Sequence, residues 1–283
     1  MKYFIEKISG LLLAGWLLLC LNPVHVYSQN SDKNENVYSI NKKWEIPVTL
    51  ALFGTNFLGL NYVGTQPGLD SLEIVALDVN DLWAINRKAV EQDAGYVGQA
   101  QHISDWALNV SVALPALLGL DKEIRKDWID LLVLYGETHA VNGNIYVAAA
   151  SLNDKARPLV YNPDIPFTDR SESGTLNSFF SGHVSTAAAS TFFAAKVYSD
   201  YHPEIGNKKY LLFGAALIPP MVVGIYRYKA MKHFPTDVFT GLVVGAGMGV
   251  LVPHLHKRKN KMGGFSFVPF SGKYTGCVIG YRF

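Results

Sequence analysis

Apolar runs separated by clusters of basic residues constrain this chain more than any other feature. Five runs, 106–120, 128–150, 184–197, 211–225 and 238–252, are predominantly apolar, and Pro115 and the pair Pro219-Pro220 interrupt two of them. Between and after them lie Lys122, Arg125 and Lys126, then Lys208 and Lys209, then the basic stretch 256–261. If each run crosses a bilayer once, these clusters fall on one side, which the positive-inside bias makes cytoplasmic. That parity requires the further apolar run 46–63 not to cross. Several runs are shorter than the roughly 20 residues of a full span.

The run 128–150 adds a second constraint. It has helical length but carries Asp130, Glu137, His139, Asn142 and Asn144, which are costly against lipid. They must face a bundle interior or an aqueous site. In 238–252, Gly241, Gly245 and Gly249 recur every four residues, which puts three small residues on one helix face and permits close helix contact. Hydrophobic residues make up 49% and charged residues 17% of the 283, a balance that leans towards a membrane protein. The mean hydropathy of +0.13 leaves a soluble helical protein open. A net charge of +2 gives no footprint for a nucleic-acid partner.

The N-terminus has the pattern of an export signal. Lys2 and Lys7 precede the apolar run 11–21, and Ser28 offers a small residue for cleavage. Cys20 and Cys277 have no spacing that suggests a zinc site. Residues 29–101 read as an extracytoplasmic segment of short helices and turns, and 102–256 as a helical bundle. Residues 257–283 read as a basic loop and a C-terminal β-hairpin, from the alternation of Phe265, Phe267, Phe270, Tyr274, Val278 and Tyr281.

The chemistry-bearing residues lie in three places. Arg227 is followed after five residues by His233 and after three more by Asp237. An arginine is a permanent cation whose planar fork fits phosphate oxygens, and a histidine near a carboxylate is a nucleophile or base beside a group that can orient it. Upstream, Ser181-Gly182-His183 opens an Ala-rich helical run, where backbone N–H groups can receive an anion. Upstream again stand Lys155 and Arg157-Pro158, ahead of a polar loop of about thirty residues, a length usually tied to function. Two arginines and two histidines in this order point to phosphoryl chemistry.

These three places carry a resemblance. The chain is similar to the type 2 phosphatidic acid phosphatase (PAP2) superfamily, which includes membrane lipid phosphatases, soluble bacterial acid phosphatases and vanadium haloperoxidases. The family pattern is K-x6-R-P, then P-S-G-H, then S-R-x5-H-x3-D. This sequence matches it with three departures: Ala150 where the lysine is expected, Phe180 for the proline and Tyr226 for the serine. The resemblance covers roughly 128–251.

The resemblance implies an all-α, transmembrane helical bundle in a bacterial envelope, in the inner membrane with a periplasm-facing site. The alternative locations are the periplasm and the outer membrane. It implies His233 as nucleophile with Asp237 orienting its ring, and His183 as general acid. Arg157, Arg227, Ser181 and Gly182 would hold the phosphate, and Lys155 or Arg170 could stand in for the missing lysine. No metal and no cofactor are expected. The implied partner is a phosphorylated lipid such as phosphatidic acid, phosphatidylglycerol phosphate, undecaprenyl pyrophosphate or a lipid A phosphate. Three rivals stand beside this reading: an exported soluble acid phosphatase, a vanadium haloperoxidase, and an inactive lipid-binding envelope protein.

Overall fold

The computed structural model describes residues 36–258, 264–271 and 275–282, the last two stretches by backbone alone. The expected signal peptide and Cys20 lie outside the described residues.

Among the described residues, seven helices of eight residues or more build the bundle. They are α1 (Lys42–Gly64), α2 (Val97–Ala113), α3 (Trp128–Leu152), α4 (Gly182–Tyr201), α5 (Lys209–Ala216), α6 (Ile218–Lys229) and α7 (Pro235–His256). A 3-10 turn, Leu114–Leu120, prolongs α2 with Pro115 near its start. Pro219 and Pro220 sit in the first turn of α6, where a missing N–H costs little. They divide the apolar run 211–225 between α5 and α6. Beyond α7, Gly264–Ser271 and Thr275–Arg282 run antiparallel, with Gly264 opposite Arg282. The fold class is all-α.

Helix α4 lies at the centre. Most of its length is buried, from Val184 to Val197, and its Ala and Ser residues let neighbours approach closely. The glycine face of α7 lies against it. A Cβ added at Gly241 would lie 2.5 Å from the Ser181 carbonyl oxygen, and at Gly245 2.0 Å from that of Ser185. The expected small-residue packing is therefore present. The polar residues of 128–150 also point inward: Asn142 accepts from Ser185 Oγ at 2.6 Å, and Asn144 Nδ2 donates to the carbonyls of Leu52 and Ala140, both at 2.8 Å.

Among the described residues, four stretches are long and apolar enough to cross a membrane by length and composition: Lys42–Gly64, Ala94–Leu120, Pro203–Lys229 and Pro235–His256. Only 11% of the α1 window is buried, and Leu50, Phe53, Phe57 and Leu58 are exposed on it, as lipid-facing side chains are. The run 46–63, expected not to cross, is thus among the stretches long and apolar enough to do so. Residues 36–41 also lie at a different end of the bundle from the one expected. Ser39 N donates to the His256 carbonyl at 2.9 Å, and Lys42 pairs with Asp130 at 2.6 Å. The other end of α1 meets the loop after α3, where Asn177 Nδ2 donates to the Val63 carbonyl at 2.8 Å. Asn56 lies against Gly143 of α3.

Residues 65–96 form short helices and turns, as expected. Asp70 caps Ser71–Val75 and Asp93 caps the turn at Ala94. The segment covers the start of α7: Asn86 Oδ1 accepts from Thr236 Oγ1 at 3.2 Å, and Ala89 and Val90 pack on Phe234.

Candidate active site

The loop from 153 to 181 folds back on itself. Arg157 N donates to the Thr175 carbonyl at 2.8 Å, and Ser178 N to the Lys155 carbonyl at 3.0 Å. This pairing sets Lys155 and Arg157 beside Ser178, just ahead of α4. The loop between α6 and α7 closes on the same place, with Leu159 N donating to the Met231 carbonyl at 3.0 Å.

His233 sits in that second loop and is 2% exposed. Its Nδ1 lies 2.7 Å from the Ser178 carbonyl oxygen. A carbonyl only accepts, so Nδ1 carries the hydrogen and Nε2 keeps its lone pair. Burial first, then the fields of Arg227 and Arg157, push the His233 pKa well below the ordinary imidazole value, against the pull of the Ser178 bond. The ring is thus a neutral base with a free Nε2.

Asp237 does not hold this ring, which corrects the sequence expectation. Its buried carboxylate accepts from Lys155 Nζ and Ser178 Oγ, both at 2.6 Å, and from Phe234 N at 3.0 Å. Position N3 of α7 favours that last bond, because the first amides of a helix lack intrahelical partners. Asp237 therefore reaches His233 at one remove, by fixing Ser178. Lys155, expected among the phosphate donors, is placed on Asp237 and lies 4.8 Å over the Phe234 ring. Arg170 Nε donates to the Val160 carbonyl at 2.8 Å. The position expected to hold lysine, Ala150, is buried in the last turns of α3.

Arg157 and Arg227 are both close enough for their fields to act on His233 and His183. Arg227 is 4% exposed, and both guanidiniums bury an Nε with no hydrogen-bond partner among the described residues. Buried donors left unpaired are costly, and an anion between the two would relieve both. Burial lowers the Arg157 pKa, while Tyr146, Asp237 and Glu172 oppose that shift. Ser181 is fully buried, its Oγ is also unpaired, and it does not cap α4. The opening amides of α4, from Gly182 onward, are thereby left for a ligand. At Gly182 a Cβ would press on the Tyr146 ring at 3.1 Å.

His183 stands on the first turn of α4, with Nε2 3.1 Å from Asp105 Oδ1. The same carboxylate oxygen is 3.7 Å from Arg227 Nη1. Sequence reading missed three residues here. Ser178 and Asp105 carry no motif. Lys232 is adjacent to His233 and part-buried; its N–H donates to the Arg227 carbonyl at 3.1 Å, and its amine makes no hydrogen bond or ion pair among the described residues. Burial first, then Arg157 and Arg227, lower its pKa to about 8. Its place next to His233 was the available signal.

Glu45, Glu137 and His256 each offer a metal-ligand atom, all within 4.8 Å of one another, at the opposite end of the bundle. No such group is found around His233 among the described residues.

Fold and site together describe a helical membrane protein in which two buried arginines lie close to two imidazoles. Residues 131–261 match the family model of the PAP2 superfamily. A solved structure, the crystal structure of the first transmembrane PAP2 type phosphatidylglycerolphosphate phosphatase from Bacillus subtilis, is similar at 20% identity and a TM-score of 0.40. The match covers 73% of this chain and 94% of that one. No curated protein matches the chain.

Proposed function

We propose that the protein is a lipid phosphatase that hydrolyses a phosphomonoester or pyrophosphate through a phosphohistidine on His233, with no metal ion in the reaction. The observation that carries this reading is the set of open donors: two buried, unpaired guanidinium Nε atoms and a buried, unpaired hydroxyl around a histidine whose Nε2 is free.

The site supplies each step. Nε2 of His233 attacks phosphorus, and the ester oxygen leaves with a proton from His183. Arg157, Arg227 and Lys232 neutralise the phosphoryl oxygens, which also take hydrogen bonds from Ser181 Oγ and the α4 amides. His183 then accepts a proton from water as the water's oxygen attacks phosphorus and the P–N bond breaks. Lys232 here fills the role that the family pattern gives to a lysine at position 150.

A lipid substrate fits the exposed apolar flanks of α1, α2 and α7, which hold the protein in a bilayer beside its substrate. These flanks argue against the soluble alternative. The site lies at the end of the bundle opposite Lys42, the Lys122–Lys126 helix and Lys257. By the positive-inside bias, that end is extracytoplasmic.

Phosphate release from lipid phosphates in EDTA tests the mechanism. His233→Ala is expected to lose roughly a thousand-fold or more of the turnover. Full activity in that variant ends the reading.

A further inference from the structure

We propose that Asp105 is a positioning residue for His183, holding the ring so that its other nitrogen, Nδ1, faces the leaving oxygen. The inference deepens the phosphatase reading above and rests on it. Asp105 lies on α2, outside the stretch matched to the family, 131–261.

The geometry is specific. Asp105 Oδ1 is 3.1 Å from His183 Nε2, and an ionised carboxylate only accepts, so Nε2 carries a hydrogen. Nδ1 has no partner among the described residues. The protonated ring then has one N–H fixed on Asp105 and the other free to give. When Nδ1–H passes to the leaving oxygen, the oxygen–phosphorus bond breaks, and the ring stays neutral with its hydrogen on Nε2. Water returns the proton to Nδ1 in the second step.

The surrounding charges make a counter-ion necessary. Burial first, then Arg227 on α6 and Arg157 from the loop after α3, push the His183 pKa down to about 4, and Asp105 pulls against them. His233 faces it as a neutral group. Among the groups acting on the ring, Asp105 is the one that favours the cation. Its helix is a firm support, since Ala100, Ser104 and Ser111 on α2 are buried. The carboxylate itself is 42% exposed, so Asp105→Asn leaves no buried group unpaired.

A comparison of leaving groups separates positioning from mere structure. An aryl ester such as 4-nitrophenyl phosphate departs with little protonation, whereas an alkyl lipid phosphate needs the acid. For Asp105→Asn, kcat on a lipid phosphate is expected to fall about ten- to a hundred-fold, with less than about a threefold change on the aryl ester and in KM. Asp105→Glu is expected to restore the lipid-to-aryl ratio at least in part. An equal loss on both esters, or no loss on either, overturns the inference. Wild-type protein that turns over neither ester overturns the phosphatase reading itself, and that result differs from failure of the Asp105 role alone.

Discussion

Lys232 sits in the loop ahead of α7 near two guanidiniums, whose fields outweigh those of Glu172 and Asp169. Its lowered pKa of about 8 makes it a cation below that pH and a neutral amine above it. The free enzyme should therefore bind phosphate esters less well as pH rises through about 8. A pH profile of kcat/KM is expected to show this fall in wild type and to lose it in Lys232→Arg, whose charge persists. His233 does not produce that limb, because burial already keeps it neutral at lower pH. His183, His233, Arg157 and Arg227 were legible from their order along the chain. The partners of these side chains were not. Asp237 stands four positions from His233, yet it takes Lys155, Ser178 Oγ and an α7 amide. Helix start geometry turns its carboxylate away from the ring, and spacing alone does not report that.

The contact between α4 and α7 depends on backbone approach. Gly245→Ala would place a methyl 2.0 Å from the Ser185 carbonyl oxygen, so the helices must separate. Overpacking of this kind costs about 1–3 kcal/mol, and the thermal unfolding midpoint in detergent should drop by several degrees. Gly247→Ala is the control, since nothing lies within 4 Å of its added Cβ, and its midpoint should hold. An equal drop in both variants would remove the packing argument. The glycine repeat and the inward polar groups of α3 were legible because period and composition encode them. Helix α1 was less legible because Asn56 counts as polar whichever way it points, and its position against Gly143 is set by a partner 87 places away.

The molecule presents apolar side chains on α1, α2, α5, α6 and α7 to its surroundings. Soluble monomers rarely expose contiguous apolar patches of such extent. Alkaline carbonate extraction of membranes is expected to leave the protein in the pellet, and release to the supernatant would end the membrane reading. The described basic residues after α2, ahead of α5 and at Lys257 were correctly grouped at one end from sequence, where His202 meets Asp121 and Lys257 meets Asp200. The place of 36–41 was not legible, because it depends on the backbone pairing of Ser39 with His256 and of Arg258 with Val37.

The proton on the ring of His233 is set by the Ser178 carbonyl. No codon specifies a main-chain oxygen, so this part of the chemistry tolerates any residue at position 178 that keeps the peptide in place. Evolution and mutagenesis can reach it only through the ties that aim the peptide, Asp237 foremost.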